Sequence, residues 1–142
     1  MDVGSTMARA VPLAQGAYYV GTGVWPLVSM RSFQGVTGPK MDTWLVKTVG
    51  VLVTAIGTSL LVSARRRRPT PEAAILGVGS ALALAGIEVF YRRQRRISPI
   101  YLADALAEVA IAAGWALPLL APAPKRPRRR ARSGLRRRNG WR

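Results

Sequence analysis

Four apolar runs, at about residues 10–30, 44–63, 73–91 and 100–120, alternate with short polar connectors along this chain. An α-helix rises about 1.5 Å per residue, so about 20 apolar residues cover a hydrocarbon layer of about 30 Å. Each run therefore predicts one membrane-crossing helix. The expected fold is all-α: a four-transmembrane-helix bundle over residues 10–121, between a short segment 1–9 and a disordered basic tail 122–142. Punctuation supports these limits. Gly35, Gly38 and Pro39 mark a polar, turn-rich connector over 31–43, where Asp42 or Thr43 caps the next helix. Arg65-Arg66-Arg67-Arg68 with Pro69 and Pro71 closes the second run, and Arg92-Arg93-Gln94-Arg95-Arg96 closes the third. Ser98-Pro99 reads as an N-cap followed by proline at the first helical position, and Pro118 and Pro122 end the fourth run. Gly21 to Pro26 should bend the first helix, because proline removes a backbone donor. Arg9 before an apolar run looks like a signal peptide, but no small-residue cleavage site follows, so an uncleaved first span is expected.

Composition narrows the chemistry. The 142 residues hold no cysteine and no histidine, which removes disulfides, thiol nucleophiles, ordinary zinc sites and imidazole acid–base catalysis. No metal and no cofactor is expected. The glycine doublets Gly21-Thr22-Gly23 and Gly77-Val78-Gly79 follow no strand and complete no nucleotide fingerprint; in apolar helices they mean close packing. A nucleophile–base arrangement is not visible, so an enzyme ranks behind a binding or structural protein.

The net charge is +16, and its distribution sets orientation. With four crossings both termini share a side. That side carries fifteen basic residues, namely Arg9, arginines 65–68 and ten between 125 and 142; the other carries seven. The positive-inside rule then places both termini in the cytoplasm and the chain in the inner (plasma) membrane as a multi-pass protein. In the tail, Arg128, Arg129, Arg130, Arg136, Arg137 and Arg138 are the candidates for an anionic surface, at about 1 kcal/mol per basic residue near anionic lipid. Lipid, or a partner membrane protein, is the expected contact. Nucleic acid ranks last.

Reversal of direction from run to run brings Lys47, Glu88, Asp104 and Glu108 toward one end of the bundle. An ionisable group at the centre of a membrane helix costs about 2.5–3.5 kcal/mol on insertion scales, so these side chains should face inward. Asp104 and Glu108 share a helical face with Tyr101, Ile111 and Trp115; Glu88 continues the small-residue stripe Gly77, Ala81 and Ala85; Lys47 is grouped with Gly50, Thr54 and Gly57. Lys40, Asp42, Arg92 and Arg93 would stand at the mouth. Two readings stay open. The cluster is a structural ion-pair set, with Lys47 on Glu88 or Asp104 and an arginine on the remaining acid. Alternatively it is a pocket that handles a proton, a cation or a lipid head group, whereas a structural or assembly subunit would use the tail instead.

The segments Tyr18-Tyr19-Val20-Gly21-Thr22-Gly23-Val24-Trp25-Pro26-Leu27, Thr37-Gly38-Pro39-Lys40-Met41-Asp42-Thr43-Trp44-Leu45-Val46 and Ile97-Ser98-Pro99-Ile100-Tyr101-Leu102-Ala103-Asp104-Ala105 together resemble a group of small bacterial multi-pass membrane proteins. The resemblance covers about residues 12–117 and omits the tail. It implies the membrane and the helix count; no activity comes with it.

Overall fold

The computed structural model describes residues 3–66 and 69–120, and these form five helices with no strand among them. They are α1 (Val3–Val28), α2 (Met30–Thr37), α3 (Thr43–Ala64), α4 (Pro71–Arg93) and α5 (Ile100–Leu120). Local chemistry sets most boundaries. Thr70 caps α4 by accepting from the Ala73 amide at 3.3 Å, with Pro71 at the first position and Glu72 in the first turn. At its other end the Arg96 amide donates to the Tyr91 carbonyl at 3.0 Å, and Arg95 adopts the left-handed conformation (φ 57°) that this closure requires. Ser98 Oγ accepts from the Ile100 amide at 3.5 Å to start α5, which continues past Pro118 to Leu120. Asp42 holds the N-cap position of α3 without a side-chain capping bond.

The connector 31–43 is not the turn the sequence predicts. Helix α1 runs through Pro12 and Pro26 to Val28, and the chain breaks at Ser29 (φ −144°, ψ 83°). The Ser29 hydroxyl then accepts from the Ser32 amide at 3.3 Å and starts the two-turn helix α2. Gly38, with φ 86°, closes it, its amide bonded to the Gln34 carbonyl at 2.9 Å.

The bundle is two antiparallel pairs. In the first, α1 lies against α3 along its length, and glycines seven residues apart on each helix make the approach possible. A Cβ on Gly16 would stand 2.8 Å from the Gly57 carbonyl oxygen, and one on Gly57 2.8 Å from that of Gly16. Likewise a Cβ on Gly23 would stand 2.7 Å from the Gly50 oxygen, and one on Gly50 2.6 Å from the Gly23 oxygen. Backbone meets backbone at both levels. A seven-residue repeat keeps one stripe of each helix facing its neighbour, as in left-handed helix pairs. In the second pair, α4 turns the buried stripe Ala73, Gly77, Ala81, Ala85 and Glu88 inward. The Trp115 ring of α5 occupies the space a side chain at Gly77 would need.

One half of the molecule locks the pairs together. Leu60, Ala73 and Trp115 form the core there, with Val11, Ile56 and Ile111 packed on it. Gln15, fully buried on α1, donates through Nε2 to the Gly77 carbonyl at 2.8 Å and to Ser80 Oγ at 3.5 Å. Its Oε1 accepts from Trp115 Nε1 at 2.8 Å. A single amide thus ties α1, α4 and α5. At the adjacent end, Arg9 Nε donates to the Arg66 carbonyl at 3.1 Å, joining the start of α1 to the end of α3.

Two helices, α3 and α4, are long and apolar enough to cross a bilayer among the described residues. Four such crossings were expected. Helix α1 has the length but commits positions to Gln15, Tyr18, Tyr19 and Trp25, the side chains that reach into the bundle, and this lowers its apolar content. The outer surface is apolar: Ile75 is 74% exposed and Leu106 71%, with Leu13, Leu52, Leu82 and Val109 also exposed.

Candidate functional site

Beyond Gln15 the two helix pairs part. Between them lies a cavity of about 580 Å³, walled by α1, α3, α4 and α5 and roofed by α2. Phe33, Val36 and Thr37 of α2 form the roof, together with Lys40 from the link to α3. The roof is internally bonded. Trp25 stacks edge-on against Phe33 at 5.5 Å between centroids and donates from Nε1 to Ser32 Oγ at 2.8 Å. Gln34 Nε2 donates to the Lys40 carbonyl at 3.2 Å, and Lys40 Nζ to the Thr37 carbonyl at 3.1 Å.

Three carboxyl groups face this cavity: Glu88 from α4, and Asp104 and Glu108 from α5. Antiparallel α4 and α5 put residue 88 level with 104, and the four-residue step puts Glu108 one turn deeper on the same face. Their partners come from α1. Tyr18 donates its hydroxyl to Asp104 Oδ1. Tyr19 donates to Glu108 Oε2 at 2.8 Å, with Tyr19 fully buried and Glu108 only 1% exposed. Glu88 lies within hydrogen-bonding reach of Asp104. It is 7% exposed, and no donor of the described residues reaches its Oε2. A buried polar atom without a partner costs about 1–3 kcal/mol, more when charged, so an arrangement that keeps one invites an occupant.

Of the remaining sequence candidates among the described residues, Lys40 lines the cavity and the others do not. Lys47 does not join the acids. It is exposed, because the cavity takes Val46, Val49, Gly50 and Val53 from α3, and position 47 lies about 100° round the helix from position 46. Among the described residues no lysine or arginine forms an ion pair with Glu88, Asp104 or Glu108. Tyrosine hydroxyls replace the expected salt bridges. Lys40 does stand at the mouth, its Nζ 4.8 Å from the centre of the Tyr101 ring. Asp42 and Arg93 are exposed and Arg92 is half-buried, and none of the three lines the cavity. Arg128, Arg129, Arg130, Arg136, Arg137 and Arg138 lie outside the described residues.

Sequence reading did not single out Tyr18, Tyr19 or Gln15. An uncharged polar side chain in an apolar run is a weak signal, but Gln15 and Tyr19 sit four residues apart, on one face of α1. Apart from the three carboxyls, Thr22, Thr37 and Lys40, the cavity wall is aromatic, aliphatic or glycine. Among the described residues, no three acidic side chains are grouped so as to hold a metal ion. No protein-family model, curated protein or solved structure matches this chain.

Proposed function

We propose that this chain is a small integral membrane protein whose four long helices cross the bilayer, and whose cavity binds and releases a proton or cation at Glu88, Asp104 and Glu108. The observation that carries this reading is an inversion of the usual interior. Carboxyls and a glutamine are buried, while leucines and isoleucines on every long helix face outward. In water such a surface aggregates; in hydrocarbon it is the ordinary arrangement. Helices α3 and α4 have the apolar length to cross. Helix α1 is held to α3 backbone against backbone at two levels, and α5 runs antiparallel to α4 from Glu88–Asp104 to Gly77–Trp115, which supports all four crossing together. The carboxyls then lie inside the membrane, Asp104 and Glu108 with tyrosine donors. Among the described residues none of the three is ion-paired, Lys40 standing over the Tyr101 ring at the mouth.

In this reading both termini are cytoplasmic. Arg9, Arg65 and Arg66 mark that face, and the ten basic residues of 125–142 follow α5 onto it, where anionic lipid is the natural contact. The cavity and its α2 roof open toward the opposite face of the membrane.

Exchange at the carboxyls is testable without knowing a substrate. In the purified full-length protein in lipid nanodiscs, infrared difference spectra on changing pH should show carboxylic-acid bands that titrate. Glu108→Gln should remove part of that signal with the protein still folded and its melting temperature within a few degrees. Carboxyl bands that stay silent across the pH range, or a Glu108→Gln spectrum identical to wild type, would exclude the exchange reading and leave three static carboxyl groups.

A further inference from the structure

We infer that the occupant of the cavity is a hydrophobic organic cation of single positive charge, an inference that rests on the proposed exchange at the carboxyls and names what exchanges with the proton. Four observations lead there. The first is size: about 580 Å³ falls in the range of small-molecule sites, roughly 300–1,000 Å³, and is far larger than a bare ion needs. The second is the wall. Tyr18, Tyr19, Trp25, Phe33, Tyr91 and Tyr101 all border the space, and the face of an aromatic ring attracts a cation, most strongly where water is excluded.

The third is Glu88, a residue of the cavity wall whose Oε2 is buried beside that cavity with no donor from the described residues. Asp104 and Glu108 are already engaged by tyrosine hydroxyls, so Glu88 is the group left to meet an incoming charge. The fourth is Lys40. Its ammonium already sits on the Tyr101 ring at 4.8 Å, at the mouth, so one aromatic face of this site is occupied by a cation in the resting molecule. A metal ion is the poorer fit, because the acids are not grouped to coordinate one among the described residues and rings ligate no hard metal.

The exchange is a matter of charge balance with no covalent step. One proton leaves the carboxyl set as one monovalent cation enters, and it returns when the cation departs.

Two ions of matched size and shape and opposite charge provide the test. Full-length protein in phosphatidylglycerol nanodiscs is titrated with tetraphenylphosphonium and, separately, with tetraphenylborate, each corrected for empty nanodiscs. Saturable binding of the phosphonium alone is expected, with proton release in weak buffer. Glu88→Gln should weaken it tenfold or more, and Phe33→Leu, which keeps an apolar wall, should weaken it several-fold. Phosphatidylethanolamine added to the nanodiscs should leave the affinity unchanged; competition by it would assign the site to a lipid head group and overturn the inference. Equal binding of both ions, binding of neither, or unchanged affinity in Glu88→Gln would also overturn it. Absence of binding with carboxyl bands that still titrate would remove the organic cation and keep the exchange reading; silent bands would remove both.

Discussion

Replacing Gly50 by valine should separate α1 from α3 and lower the melting temperature of the detergent-solubilised protein by roughly 10 °C, corresponding to about 3 kcal/mol for a chain of this size. The reason is geometric. A Cβ at position 50 lands 2.6 Å from the Gly23 carbonyl oxygen and 3.3 Å from the Pro26 ring, and two further methyl groups follow it. Backbone cannot move aside as a flexible side chain does, so the helices must part, and their contact at Gly16–Gly57 loosens with them. Membrane helices gain little from the hydrophobic effect between themselves, which leaves close packing as the main attraction at this seam. The internal control is Gly21→Ala. Nothing lies within 4 Å of a Cβ there, so the change should stay within about 1 kcal/mol, with better helix propensity favouring alanine. Comparable melting temperatures for Gly50→Val and Gly21→Ala would mean that α1 and α3 are not held by this contact.

The second large effect is expected at Gln15. Leucine fills a similar volume but makes none of the three hydrogen bonds, and it leaves the buried Trp115 indole N–H without an acceptor. An orphaned donor costs about 1–3 kcal/mol, while each interhelical bond in a membrane protein averages about 0.6 kcal/mol, so Gln15→Leu should cost about 2 kcal/mol. A double-mutant cycle with Trp115→Phe isolates the pair, because phenylalanine has no N–H to orphan. The expected coupling is about 1 kcal/mol. Strict additivity would show that the amide does not join the two helix pairs. The same variant tests how the cavity is held: with the tie cut, Tyr18 and Tyr19 lose their register against Asp104 and Glu108, and the cavity should no longer present a fixed set of carboxyls.

Particular residues show what the chain makes readable. Glu88, Asp104 and Glu108 were brought to one end by counting alone, because alternating direction and a fixed rise per residue determine depth. Rotation about a helix axis is harder to read. Spacing groups Lys47 with Gly50 and Gly57, yet the buried arc of α3 is narrow where α1 presses on it, and 47 falls just outside. The expected ion pairs do not form for the same reason, since the charged residue of α1, Arg9, lies at its other end and the partners at this level are the tyrosines Tyr18 and Tyr19. Of Gly16, Gly21 and Gly23 on α1, Gly16 and Gly23 form the seam and Gly21 faces open space. Helix α2 was hidden by its glycines and its shortness. The Ser29–Ser32 cap, followed by Phe33, Val36 and Thr37 at helical spacing, is the signal that marks it.

The placement of the carboxyls inside a bilayer is the claim on which the exchange chemistry depends, and the absence of native cysteine makes it directly measurable. Single cysteines at Gly35, on α2, and at Glu72, at the start of α4, are labelled with a membrane-impermeant maleimide in sealed vesicles of known sidedness. Gly35→Cys should react only from the non-cytoplasmic side and Glu72→Cys only from the cytoplasmic side. Labelling of both from one side, or recovery of the protein in the soluble fraction, would contradict the account.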